Sequence, residues 1–239
     1  MSRWIPLESN PEVLNSWANK AGLDESEAQF GDIYGFDEEL LTMVPKPVKA
    51  ILLLFPITAA IEGKRREEDE KIKADAADET VPKPKPDQVI WIKQTISNAC
   101  GTIGLLHALA NTGVKLLPNS PLERFVEACR DKSPSERAEF LENTPLFAEI
   151  HAETASTGQS SVPTDLDTDL HFTCFVEAAI DGETHVVELD GRRAGIMDRG
   201  KVRLDLLSDV VTLVKETYIK SSGGSIQFSM TSLGPLSEW

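Results

Sequence analysis

Hydrophobic and polar positions change period several times along the 239-residue chain, and those changes divide it into elements. Residues 11–22 read as an amphipathic helix, with Asn10 as cap, Pro11 at the first helical position and Gly22 as the stop. A second short helix is predicted over 37–44 (DEELLTMV), ended by Pro45 and Pro47. The run VKAILLLFPI (48–57) is apolar on both alternations. It predicts a buried strand over 48–55 and is too short to span a bilayer. Residues 62–88 carry almost no large apolar side chains. Their first half predicts a solvated helix with opposite charges at i,i+4 spacing. Their second half, with three prolines, predicts a loop, and the whole reads as an exposed excursion without a functional role.

A short strand is predicted at 89–94, then a helix beginning near Cys100, then helices over 121–130 and 134–143, each opened by a proline. The segment 154–169 has neither period nor much hydrophobicity, and a loop of that length within a compact domain is a functional candidate. Two β-rich runs then meet at Asp181-Gly182, a strong hairpin signal. A helix over 205–219 and a strand within 225–233 follow, and no repeat is visible.

Composition narrows the class. The chain is 41% hydrophobic and 26% charged, ordinary values for a soluble protein with one well-filled domain or two small ones. A net charge of −15 disfavours nucleic acid and favours basic partners. Three cysteines without close pairing argue against a disulfide framework and a zinc site, so no metal or other cofactor is expected. The first residues lack the apolar core of a signal peptide, which predicts a cytoplasmic or nuclear protein without membrane attachment.

Candidate chemistry centres on IKQTISNACGTIGLLHALAN (92–111). Ser97 and Asn98 are suitable caps, which puts Cys100 in or beside the first helical turn. There, free N–H groups and the positive end of the helix favour a thiolate. Gln94, ahead of the helix, could donate to an oxyanion formed near the sulfur. The alternative is a cysteine that packs as a small hydrophobe.

A nucleophilic thiol needs a base, and four histidines compete. His107 lies about 10 Å of helical rise from Cys100 and cannot pair with it. His151 borders the 154–169 segment. If Asp181 and Gly182 form a type I′ turn, Ile180 faces Glu183, Thr173 faces Asp190 and His171 faces Arg192. His171 and Asp190 then share a face as diagonal neighbours, and His185 points to the other face. Asp190 can thereby fix one nitrogen of His171 and leave the second for a thiol. Cys129 and Cys174 read as core. The order Cys, His, orienting residue is that of papain-like cysteine proteases.

Several blocks make a resemblance specific: RWIPLESNPEV, DIYGFDEELLTMVPKPVKAILLLFPI, KQTISNACGTIGLLHALAN, SPSERAEFLEN and DLHF…VELDGR. Over nearly its whole length the chain resembles a small, single-domain ubiquitin carboxyl-terminal hydrolase. The resemblance implies an α+β, papain-like fold, with a central antiparallel sheet flanked by helices, a knotted backbone and an active-site crossover loop near 154–169. It implies Cys100 as nucleophile, His171 as base, Asp190 as its orienter and Gln94 as oxyanion donor. It also implies ubiquitin contacts at Pro6, Leu7, Glu8, Glu12, Asp32 and Leu170.

The expected activity is removal of small adducts or short peptide extensions from the C-terminal glycine of ubiquitin by a monomer. Preference for a modifier such as Nedd8, or ubiquitin binding with little turnover, are the alternatives. The sequence departs from relatives in an extended His171–Asp190 hairpin and in its ending, TSLGPLSEW. No additional C-terminal helical domain is expected, nor recruitment to the proteasome through one.

Overall fold

The computed structural model describes residues 4–78, 80–82, 88–159 and 166–236. Among them, a six-stranded sheet in which every neighbouring pair is antiparallel separates two groups of helices. The strands are β1 (Gln29–Asp32), β2 (Ala50–Pro56), β3 (Leu170–Ile180), β4 (Glu183–Leu189), β5 (Met197–Lys201) and β6 (Ser229–Gly234), in the spatial order β1-β6-β2-β3-β4-β5. The helices are α1 (Pro11–Ala21), α2 (Glu38–Thr42), α3 (Ala59–Ala77), α4 (Cys100–Asn111), α5 (Pro121–Cys129), α6 (Pro134–Glu142), α7 (Pro145–Ala155) and α8 (Leu206–Leu213). The last continues as a π-helical turn over Val214–Ile219.

The apolar run of β2 explains the layering. Ala50 and Leu52 face a core shared with α1, α4, α5 and α7, whereas Ile51, Leu53 and Phe55 face a second core beneath α8. A strand buried on both faces must be apolar at every position, and only a central one meets that condition.

Cap and proline signals translate directly. Asn10 accepts from the Glu12 N–H at 2.9 Å, and Ser120 and Ser133 cap α5 and α6 over prolines at the first position. The hairpin register is the expected one: Ile180 pairs with Glu183, Ala178 with His185 and Cys174 with Leu189. Asp181 (φ 52°) and Gly182 (φ 80°) both occupy the left-handed region that a type I′ turn requires. The paired ladder ends at Cys174–Leu189, so Asp190 lies just past it.

Four expectations need correction. Residues 89–94 form no strand: Val89–Ile92 are buried, but their backbone is held by side chains. Asn111 Oδ1 accepts from Ile90 N–H (2.7 Å) and His107 Nε2 from Ile92 N–H (2.9 Å), while Arg137 donates to the carbonyls of Val89 and Trp91. The cap of α4 is Ala99 rather than Ser97 or Asn98, and no side chain caps it. Asn98 sits at φ 62° and donates to the Trp4 and Leu166 carbonyls instead. The polar run after β2 is not a freestanding excursion, because Arg65 of α3 is buried. Finally, α7 occupies 145–155 and overlaps the start of the expected loop, of which 160–165 lie outside the described residues.

Candidate active site

Cys100 is the first residue of α4, and its thiol is half-buried against the core. With no side-chain cap, the N–H groups of the first turn are left to an anion. His171, at the start of β3, is 2% exposed and reaches this thiol. Its Nε2 lies 2.7 Å from Asp190 Oδ1, which leaves Nδ1 for the sulfur.

The electrostatics follow from these contacts. Burial opposes charge on all three groups, but their mutual attraction prevails. His171 is raised to about 9 by Asp190 and by the thiolate. Cys100 is lowered by its hydrogen bond and charge interaction with His171 and by the Phe172 N–H. Asp190 is held well below the usual carboxylate range by His171 and Arg65. Both shifts act in the same direction, favouring transfer of the proton from the thiol to the imidazole. The other thiols are inert: burial pushes Cys129 up to about 11 and Cys174 higher still.

Asp190 is fixed at every atom that can accept. Oδ1 also takes the Arg192 N–H at 2.8 Å, Oδ2 takes Arg65 Nη2, and the backbone carbonyl takes Trp91 Nε1 at 3.0 Å. Its neighbour Gly191 packs against the segment carrying Gln94, whose N–H donates to the Gly191 carbonyl at 2.7 Å. A Cβ at Gly191 would fall 2.9 Å from Gln94 N and 3.0 Å from the Ile92 carbonyl, so only glycine allows this approach. The Gln94 side chain donates to the Ile96 carbonyl at 3.1 Å, and its Oε1 has no partner.

The structure thus brings Cys100, His171 and Asp190 into one contact chain and ties the backbone of Gln94 to the residue after Asp190. The six expected contact residues are dispersed. Pro6 and Glu8 are partly exposed in the segment before α1, whereas Leu7 is 5% exposed and packs on Gly101 beside the thiol. Glu12 is exposed on α1. Leu170 opens β3 next to His171. Asp32 ends β1, three strand spacings (roughly 14 Å) from β3. Arg65 and Gly191 escaped the sequence reading as parts of the site. A glycine directly after the expected orienter was the available signal for Gly191. Among the described residues no cluster of His, Cys, Asp and Glu has the makings of a metal site.

A thiol–imidazole–carboxylate series between the start of a helix and the end of a central strand is the arrangement of cysteine-dependent hydrolases. Residues 4–220 match the family described as ubiquitin carboxyl-terminal hydrolase, family 1. The chain is 42% identical over 234 residues to ubiquitin carboxyl-terminal hydrolase 3 of Arabidopsis thaliana, covering 97% of this chain and 94% of that one. It is 37% identical over 231 residues to isozyme L1 of Homo sapiens, covering 95% and 96%. Its fold matches the catalytic domain of Trichinella spiralis UCH37, solved bound to ubiquitin vinyl methyl ester. That match has a TM-score of 0.72 at 21% identity and covers 99% of this chain and 97% of that one. The chain belongs to the ubiquitin carboxyl-terminal hydrolase family and is a deubiquitinating thiol hydrolase.

Proposed function

We propose that Cys100 is the nucleophile, His171 its base and acid, Asp190 the orienter and Gln94 an oxyanion donor, in hydrolysis at the C-terminal glycine of ubiquitin. The observation that carries the reading is the contact of the Cys100 thiol with a His171 ring whose far nitrogen is 2.7 Å from Asp190. The Cys100 thiolate adds to the glycine carbonyl, and the negative oxygen is met by the uncapped N–H groups of α4 and the Gln94 amide. Collapse of the adduct expels the amine, which takes the proton from His171, and leaves a thioester. Water, deprotonated by the neutral His171, then releases ubiquitin and the thiol.

Ubiquitin as the substrate rests on family membership and on the ubiquitin adduct of the Trichinella protein. Pro6, Glu8, Glu12, Asp32 and Leu170 are its contact residues in this reading. Leu7, being buried, supports the start of α4 from beneath.

The test is turnover of a fluorogenic ubiquitin C-terminal amide beside its Nedd8 counterpart. Wild type should prefer ubiquitin, and Cys100→Ser should lose turnover while still binding ubiquitin. Residual hydrolysis by Cys100→Ser, or labelling of Cys129 or Cys174 by a ubiquitin-based electrophile, would overturn the assignment.

A further inference from the structure

Helix α3 poses a physical problem that the proposed reaction does not solve. It is 19 residues long and carries few large apolar side chains, yet one of its faces is docked rather than solvated. That face presents Arg65, Glu68 and Asp69, neighbours at i, i+3 and i+4. Arg65 donates to Asp190 Oδ2, and its Nη1 lies 2.7 Å from Glu62 Oε1. Its guanidinium stands 5.4 Å over the Phe55 ring, and Phe55 meets the His171 ring edge-on at 5.6 Å. The same residue therefore touches both the carboxylate that orients His171 and the aromatic ring packed on it.

The rest of the face keeps Arg65 in place. Arg193 Nε donates to Asp69 at 2.7 Å, and Arg193 Nη2 donates to Glu68 at 2.9 Å and to the Arg65 carbonyl at 3.2 Å. Arg199 bridges Glu68 and the buried Glu188 of β4.

We propose that Arg65 is a positioning residue of the reaction: it fixes the second oxygen of Asp190 so that the first holds the His171 ring turned toward Cys100. A carboxylate held at one oxygen can rotate, whereas one held at both cannot, and guanidinium supplies a rigid, permanently charged donor. The proposal rests on the catalytic reading above. The charged and titratable groups around the Arg65–Asp190 pair are Glu62 on α3 itself, Cys100 and His107 on α4, His171 on β3, Glu188 on β4 and Tyr218 on the π-helical turn. Glu188 is already matched by Arg199, so Arg65 is the cation in direct contact with Asp190 besides His171.

Arg65→Met keeps a stem against Phe55 and removes the guanidinium, while Arg65→Lys keeps the charge and removes the fork. Two readouts are needed: kcat and KM on a ubiquitin C-terminal amide, and the pH dependence of Cys100 alkylation by iodoacetamide, which requires no ubiquitin. Arg65→Met should lower kcat at least tenfold with KM changed less than about twofold. Its alkylation midpoint should move up by about half a pH unit, less than the one to three units of a direct charge contact. Arg65→Lys should restore the midpoint while kcat stays several-fold low. Wild-type kcat with an unshifted midpoint in Arg65→Met would overturn the proposal, as would a lower kcat with no midpoint shift, the signature of a merely structural role. Should Arg65→Met fail to fold, Arg65→Lys decides, and wild-type kcat in that variant overturns the proposal. Absence of ubiquitin turnover by wild type would sink the substrate reading and leave the alkylation comparison intact.

Discussion

His107 offers a measurable link between the buried interior and acid stability. It is fully buried in α4, with Nε2 2.9 Å from the Ile92 N–H and Nδ1 3.1 Å from the Leu189 carbonyl. An N–H can only donate and a carbonyl can only accept, so the proton sits on Nδ1 and the ring is neutral. Burial pushes its pKa from 6.5 down to about 4, against the hydrogen bond to Leu189. The unfolded chain therefore binds the proton first as pH falls. Stability contributed by keeping this ring neutral is intact above 6.5 and is lost as pH drops toward 4.

Between pH 8 and pH 5 the unfolded histidine becomes nearly fully charged while the folded one takes up about a tenth of a proton, a loss of about 2 kcal/mol. Urea unfolding at fixed pH values measures it. His107→Gln should be less stable than wild type at pH 8, by about 1–3 kcal/mol for disturbed buried hydrogen bonds. The gap should then narrow by about 2 kcal/mol at pH 5, because glutamine does not titrate. Carboxylates are unchanged between the two proteins and cancel in the difference. Stability curves that stay parallel from pH 8 to pH 5 would refute the reasoning.

Two further predictions address the site. Asp190→Asn should remain folded yet lose kcat by on the order of 10³-fold or more, because an amide can donate to Nε2 and so favour the wrong tautomer of His171. An unchanged rate would show that the 2.7 Å contact is not what orients the ring. Gln94→Ala should lower kcat by about 10²-fold, the usual cost of one oxyanion donor, whereas a change confined to KM would make Gln94 a binding residue.

How much of this was legible in the sequence depended on whether the governing interaction was local. The prolines and serines that open α5 and α6 act within one turn, and Asp181-Gly182 sets a register that carries as far as Leu189, the residue before Asp190. Edge strands gave no such signal. β5 reads MDRGK, with no alternation of apolar residues, and β1 is four residues long. The segment 89–94 has the composition of a strand, but the backbone of residues 89–92 bonds to His107, Asn111 and Arg137, whose side chains arrive from 15 to 48 positions away. The docking of α3 was invisible for a related reason. A polar face held by ion pairs has the same sequence pattern as one held by water, and only the fold brings Arg193 and Arg199 opposite it.

The charges of the site also obey an order that only the fold supplies. From Cys100 a series of contacts runs through His171, Asp190 and Arg65, alternating in sign when the thiol is ionised, to Glu62, which is partly exposed. From Glu188, two residues before Asp190, a second series runs through Arg199, Glu68 and Arg193 to Asp69. The first series begins at the start of α4 and the second on β4, and both end on partly exposed acidic residues of α3. A buried ion pair gains little over apolar packing of the same shape, but removing one partner strands the other at a cost of about 3–5 kcal/mol. In the proposed reaction an ionised thiol and imidazole cannot be exchanged for apolar groups, so the charge must be balanced outward, one neighbour at a time, until it meets solvent. That requirement accounts for a helix as polar as α3 lying against the sheet: its surface is where the balance is completed.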